Sequence, residues 1–518
     1  MNTIKIGNMK LKNKYINYSL LAVAFLYCSA CHKFLDQDPV STLTDQTSWK
    51  TDDDANSQVA GCYSLIRSGF NAAVSYFTYG DLPTDYWSTV ADPDYLAIYQ
   101  MNWAVSVSPA NTYDPKLKLR VWTPFYASIQ QSNRCLHFLN LMTDASFSGG
   151  SLSDKQARRN KYLAEAKFCR AFNYFYMARV WGDVPLDTSY QNDISSITND
   201  PRVAQATILQ TAISDLNYAK TWLSYRDGSS SDRVVRADKG AVFALLAHIY
   251  AWKGSYDSCR MACDSVIQQG GYSLVAGSSY SDIYKGQSAE GIFEIAQNSP
   301  TEAMSATAYS ASIAYYTLAT PFLPIISVPN WQLNTSELFK LYQDTTDKRY
   351  VNEYTYVTSG STKYYMCKKY SNISTVAANG VNYYLSENNI PVFRLADIYL
   401  LRAEANAAVA APDYTSVVAD INTVRDRAGI VELQSGNIAG RTALIDSVTA
   451  ERGRELFLEG SRFYDLVRNT RLTGVSQFPY ISLSDFQKGK YYWPIDPTLM
   501  VLNPALTQTP FWRQLLTN

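Results

Sequence analysis

Histidine is nearly missing from this chain: three in 518 residues, at positions 32, 137 and 248. A His-based catalytic triad therefore has few candidates. The sequence also has no Gly-x-Ser-x-Gly elbow, no His-Glu-x-x-His zinc motif, no phosphate loop and no dinucleotide fingerprint. Net charge is absent, with 46 basic residues against 46 acidic, so nothing recommends nucleic acid or an anionic membrane surface as a partner. No apolar run is long enough to span a bilayer; the stretch at residues 20–27 is too short. Cysteines are few and form no disulfide framework. Cys62, Cys135, Cys169, Cys259, Cys263 and Cys367 read as buried small hydrophobes. Cys259 and Cys263, four apart with His248 upstream, fall short of a zinc set. No metal or other cofactor is expected.

What the chain does have is aromatic surface, with 40 tyrosines and 10 tryptophans. It also has an export signal. Lys5, Lys10, Lys12 and Lys14 precede the short apolar stretch, which ends in Cys28-Ser29-Ala30-Cys31. The small residues before Cys31 suit a peptidase that cuts ahead of a lipid-modified cysteine, so Cys31 is the expected lipid anchor. Cys28 suits it less, because Tyr27 would have to fit the small-residue pocket. Residues 1–30 then read as signal peptide and 31–48 as a lipidated tether. Residues 49–518 read as one body, helical to about 270 and loop-rich and C-terminal beyond.

Thr51 followed by Asp52, Asp53 and Asp54 predicts a helix N-terminus running through Ala60 and Tyr63 to Ile66, rather than a calcium loop. A strong helix ends at Trp181, with Phe168, Phe172 and Phe175 on one face. Residues 241–267 and 398–428 look alike. In each, a small residue (Ala247, Ala405) precedes a turn tyrosine (Tyr256, Tyr414) by nine positions. This is the logic of tetratricopeptide-type hairpins. The pair is degenerate and far apart in sequence, which argues against a regular solenoid. Residues 76–115 and 271–390 are loop-rich, with short alternating stretches such as 350–357.

The most distinctive string is Glu451-Arg-Gly-Arg-Glu-Leu-Phe-Leu-Glu-Gly-Ser-Arg-Phe-Tyr-Asp-Leu-Val-Arg468. On spacing alone it predicts an amphipathic helix with an apolar stripe through Leu456, Phe463 and Val467. Its solvated face would carry the pairs Arg452–Glu455, Glu459–Arg462, Arg462–Asp465 and Asp465–Arg468. As a string it resembles the C-terminal signature of the SusD/RagB family of outer-membrane nutrient-binding lipoproteins. Further matches follow in order: Cys31-His-Lys-Phe-Leu-Asp, Ala164-Glu-Ala-Lys-Phe-Cys-Arg-Ala-Phe through Trp181-Gly-Asp-Val-Pro-Leu, and Arg394-Leu-Ala-Asp-Ile-Tyr-Leu-Leu-Arg-Ala-Glu-Ala. They continue with Ile421-Asn-Thr-Val-Arg-Asp-Arg-Ala-Gly429 and the tail from Tyr492-Trp-Pro-Ile-Asp-Pro to Asn503-Pro-Ala-Leu-Thr-Gln508.

The resemblance implies a mostly α body of tetratricopeptide-like hairpins with a loop-rich ligand-binding face and a few short strands. It implies a place on the outer surface of the outer membrane of a Bacteroidetes-type bacterium, as lid on a SusC-like TonB-dependent transporter. There the protein would capture glycans, or in some members peptides, without covalent chemistry. Glu165, Glu404, Glu451, Glu455 and Glu459, the easiest carboxylates to single out, read as helix ion pairs rather than catalysts.

The family's sugar contacts do not carry over by motif, so the binding residues are expected from composition and location. Trp87, Trp103 and Trp331 lead, with Tyr79, Tyr95 and Asp85; Tyr76, Tyr86, Tyr99, Tyr315 and Tyr316 crowd the same regions. Exposed rings would stack on sugar faces and Asp85 would take hydroxyls; the competing reading is that the rings are core. Peptide cargo on the same architecture, or a helical protein-interaction scaffold, are the alternative functions.

Overall fold

Thr51 starts the first helix through a reciprocal pair of bonds. Its hydroxyl accepts the N–H of Asp54 at 3.2 Å, and the Asp54 carboxylate accepts the N–H of Thr51 at 2.9 Å. This capping box satisfies two donors that the helix itself leaves unpaired. The acidic run therefore faces the positive helix end, as the sequence predicts. The computed structural model describes residues 48–104, 113–191, 199–299, 301–306 and 311–516. The expected signal peptide, Cys31 and the tether up to residue 47 lie outside the described residues. From Thr51 onward the chain is one compact unit.

The longer helices are α1 Asp52–Asn71, α2 Thr123–Leu141, α3 Leu152–Trp181, α4 Gln205–Trp222 and α5 Lys239–Lys253. They continue as α6 Tyr256–Gln269, α7 Leu395–Ala408, α8 Tyr414–Ala428, α9 Arg441–Glu455 and α10 Arg462–Thr473. From α1 to α8 each helix packs on the next, and α9 and α10 follow on from α7. The two predicted hairpins are α5–α6 and α7–α8, and α6 packs directly on α7. The sequence gap between them is an excursion of the chain, so the stacking that their distance argued against is present in space. Ala247 and Ala405 are sealed where helices approach closely. Gly254, at φ 75°, closes α5 in the left-handed conformation that glycine adopts without strain.

The core is aromatic where α1, α2 and α3 meet. Phe70 lies 4.5 Å from Tyr176 edge to face, Phe125 stacks on Tyr176 at 5.8 Å, and Phe172 reaches Phe293 at 5.6 Å. Farther along it is aliphatic, with Leu400, Val417, Ile421, Leu444 and Val448 joining α7, α8 and α9.

The strands are short: β1 Trp87–Val90, β2 Gly291–Ile295, β3 Met304–Ser305, β4 Trp331–Leu333, β5 Tyr354–Ser359, β6 Thr362–Cys367, β7 Ile373–Ala378, β8 Val381–Ser386 and β9 Ile390–Arg394. They form antiparallel pairs β1–β4, β2–β9 and β5–β6, and the antiparallel triple β3–β8–β7.

The string 451–468 departs from its predicted form. It is not one helix: α9 ends at Glu455, α10 begins at Arg462, and Leu458 and Gly460 between them have φ 57° and 71°. The Gly460 N–H donates to Asp81 Oδ2 at 2.6 Å. A Cβ on Gly80 would stand 2.1 Å from the Gly460 carbonyl oxygen, so the two backbones touch. Nor is its charged face solvated. Glu451, Arg452, Glu455, Glu459, Arg462, Asp465 and Arg468 are all sealed. Of the four expected close-spaced pairs, Asp465–Arg468 forms at 2.6 Å. The other charges reach across the fold instead: Glu455 to Arg394 at 2.7 Å and Arg349 at 3.1 Å, Glu459 to Lys369 at 2.7 Å, Arg468 to Glu404 at 2.5 Å.

A buried charge is tolerated only when its partners replace water. Burial pushes Glu451 up, but Arg454 and Arg349 outweigh it and hold the carboxyl down at about 2. Glu455 is likewise held below the usual carboxylate range, against burial, by Arg427, Arg394 and Arg349.

Candidate functional site

The aromatic residues expected at the binding face are, in the structure, a second core. Trp87, Trp103, Trp331, Tyr79 and Tyr95 are each no more than 2% exposed. The reason is pairing. β1 and β4 set Val90 opposite Trp331, and the Trp87 and Trp331 rings meet edge to face at 5.4 Å. Tyr316 stacks on Trp331 at 5.0 Å and Tyr95 lies 5.5 Å from it. Tyr79 and Trp103 both pack on Trp493, at 4.7 and 4.9 Å.

The polar ends of several of these side chains are spent inward. Trp87 Nε1 donates to the Asp81 carbonyl at 2.9 Å, Tyr79 OH to the Leu119 carbonyl at 2.9 Å and Tyr95 OH to the Ala73 carbonyl at 3.1 Å. Asp85 is held by a two-bond fork from Arg462, at 2.9 and 2.6 Å. These five rings are thus sealed in two clusters, one around Trp331 and one around Trp493, rather than exposed as expected. The singled-out glutamates do form ion pairs, Glu165 with Arg236 at 2.8 Å among them. His248 Nε2 lies 2.7 Å from Asp397, and Cys259 and Cys263 are buried.

Exposed rings lie elsewhere in the second loop-rich region. A ladder of contacts starts at buried Phe457 and runs outward: Phe457 to Tyr354 at 5.4 Å, Tyr354 stacked on Tyr350 at 6.0 Å, Tyr350 to Phe339 at 6.5 Å, Phe339 to Tyr365 at 5.5 Å, and Tyr365 to Tyr356 at 5.5 Å. Tyr356 and Tyr365 are direct cross-strand partners on β5 and β6, which puts them on one face. Phe339, from the short helix Thr335–Leu341, is 42% exposed and Tyr356 is 46% exposed. The Lys363 ammonium rests 4.3 Å from the Tyr356 centroid, a contact worth about 0.5–1 kcal/mol at an exposed site, which a ligand can displace. The inner rungs, Phe457 and Tyr354, are buried, and the outer rings stand on them. The signal in the sequence is the short alternating stretch at 350–357, which the structure divides between the end of a short helix, Lys348–Glu353, and the start of β5.

Two larger hollows complete the surface. One, of about 720 Å³, lies between α1 and the region around β2, with Tyr63, Arg67 and Phe293 on its walls. The other, of about 690 Å³, is bounded by Trp122, Tyr126, Gln130, Asp187 and Leu506. Among the described residues no three His, Cys, Asp or Glu side chains gather to hold a metal, and no helix is long and apolar enough to cross a membrane.

A profile described as "SusD family" matches residues 330–512, and one described as "Starch-binding associating with outer membrane" matches residues 33–251. SusD-like protein P38 of Formosa agariphila is 24% identical over 540 residues, which takes in 96% of this chain and 99% of that protein. A SusD-like protein of Bacteroides ovatus is 24% identical over 494 residues, covering 88% of this chain and 82% of that one. The crystal structure of a SusD homolog from Bacteroides thetaiotaomicron superposes with a TM-score of 0.73 at 25% identity, over 89% of this chain and 98% of the other. With two profiles in register along most of its length and the same helical array, the chain belongs to the SusD/RagB family.

Proposed function

We propose that this protein is a surface lipoprotein that binds glycan, an oligo- or polysaccharide, and delivers it to a SusC-like TonB-dependent outer-membrane transporter for import. Cys31 carries the lipid that anchors it to the outer membrane with its body facing outward. It binds and hands on its cargo and performs no covalent chemistry.

The observation that carries this reading is the platform of Phe339, Tyr350, Tyr356 and Tyr365. A tyrosine or phenylalanine ring matches the C–H face of a sugar, and rings fixed to a core lose little freedom on binding. The starch-binding description of the profile over residues 33–251 points the same way. Asp85 is tied into a fork with Arg462, which holds its loop to α10.

Affinity electrophoresis through gels containing soluble starch, xylan, laminarin or mannan tests the proposal. Migration should be retarded by at least one polysaccharide, and Tyr356→Ala with Tyr365→Ala should relieve the retardation. Free migration in every gel, with tight binding to peptides, would transfer the cargo to peptide.

A further inference from the structure

The loop at residues 227–237 is held in a costly conformation. Val234 has φ 63° and Arg226 has φ 51°, and Gln287, which packs against the loop, has φ 57°. The left-handed region is unfavourable for any residue with a side chain, and most of all for a β-branched one. Two sets of bonds impose it. The Val234 carbonyl accepts the N–H of Glu294, on β2, at 2.8 Å. The Gln287 side-chain amide donates to the carbonyls of Ser230, Ser231 and Arg233 at 2.8, 3.1 and 3.2 Å. The inner edge of the loop is tied down, and the other side forms a wall.

That wall faces α1 across an extended groove. The hollow of about 720 Å³ adjoins another of about 400 Å³, and Asn56, Asp232 and Arg236 line both. Tyr63, half-buried on α1, borders the first beside the sealed Phe293 ring 6.3 Å away, and Arg158 and Lys161 on α3 line the second. None of the platform rings borders either hollow. The combined space is that of a ligand site rather than of a packing defect.

Most charges on its walls come in opposed pairs, with the Asp232 carboxylate outside them. Arg67 meets Glu302, Arg158 meets Asp52 at 3.2 Å, Lys161 meets Asp227 at 3.0 Å and Arg236 meets Glu165 at 2.8 Å. Such pairing leaves no excess positive charge to attract a phosphate. What it leaves is planar hydrogen-bonding groups beside the Tyr63 ring along an elongated space, which suits a many-hydroxyl chain.

We infer that this groove is a second carbohydrate site, separate from the aromatic platform, that takes a run of several sugar units of a neutral glycan. Only the class of ligand rests on the function proposed above. The strained loop is the device that keeps the groove open before the ligand arrives.

Ser64 is exposed on α1 at the first hollow, so Ser64→Trp fills it from the surface side. Calorimetry with maltohexaose, xylohexaose, laminarihexaose and mannohexaose is expected to find two sites on the wild-type protein for at least one of them. Ser64→Trp should weaken the groove site by about tenfold or more and spare the platform; Tyr356→Ala with Tyr365→Ala should do the reverse. Hydrogen exchange on the unaltered protein gives a second readout: the sugar should slow exchange in peptides spanning 227–237. One site, abolished by the tyrosine changes and untouched by Ser64→Trp, with no protection at 227–237, would overturn the groove and leave the carbohydrate function standing. No binding of any hexasaccharide by the wild type would overturn both.

Discussion

Arg394 and Glu459, sixty-five positions apart, meet as a two-bond fork: Nε donates to Oε2 at 2.7 Å and Nη2 donates to Oε1 at 2.9 Å. Both side chains are sealed, at 2% and 3% exposure. Arg394 ends β9 and caps α7, and Glu459 sits in the break between α9 and α10. One ion pair therefore ties the end of the loop-rich excursion to the signature string.

Removing one partner should be costly. Glu459→Ala leaves Arg394 and Lys369 short of a counter-charge in a water-free site, which typically costs about 3–5 kcal/mol. Equilibrium urea unfolding should show a midpoint shifted far below that of the wild type. A change within experimental error would mean that water reaches the network.

The pH dependence follows from Asp81. Burial pushes its carboxyl up to about 8, against the pull of the Gly460 and Arg462 N–H groups. An acid raised in this way keeps its proton in the folded state after the unfolded chain has released it. Its stabilising contribution is complete below about pH 4 and is lost as pH rises towards 8. Asp81→Asn keeps an oxygen for the Gly460 N–H and removes that loss. Glu294 and Glu353, pushed up to about 7 by burial, act in the same direction in both proteins. The wild type should therefore lose denaturant resistance more steeply than Asp81→Asn between about pH 4 and pH 8. Parallel curves would refute the assignment.

The aromatic residues divide into two classes by burial. Trp87→Ala and Trp331→Ala open cavities in a sealed cluster and should cost about 3–5 kcal/mol of stability. Tyr356→Ala removes an exposed ring and should cost about 2 kcal/mol of glycan affinity, roughly thirtyfold, with an unchanged melting curve. Calorimetric binding beside thermal melts separates the two. Loss of stability in Tyr356→Ala, or of affinity alone in Trp331→Ala, would reverse the assignment.

The hairpin contact is tested by size. Ala405 is 1% exposed on α7, and α7 packs against α6 and α8. Ala405→Phe should overpack that contact at about 1–3 kcal/mol and lower the melting temperature. An unmoved melting curve would show that the helices are not closely apposed at this position.

The anchor is tested by labelling. Cys31→Ala should end incorporation of radiolabelled palmitate and release the body from the membrane fraction or leave its signal uncut. Undiminished labelling would place the lipid on another residue.

Much of this protein was legible from sequence because the physics involved is local. Thr51 with Asp54 marks a helix start within four residues, and Ala247 with Tyr256 or Ala405 with Tyr414 marks a hairpin at a spacing of nine. The family's motifs are likewise contiguous strings.

What tertiary structure alone decided is where side chains of the same type end up. Spacing cannot tell a tryptophan that stacks on sugar from one sealed against a neighbouring strand, because the ring that Trp87 packs on is Trp331, far along the chain. Helical periodicity made 451–468 a surface helix with neighbouring charge pairs. The contact of Gly80 with Gly460 breaks that helix and turns Glu455 and Glu459 inward, to arginines that the sequence places far away. Burial depends on which distant segment arrives to exclude water, and that is settled only when the whole chain is folded.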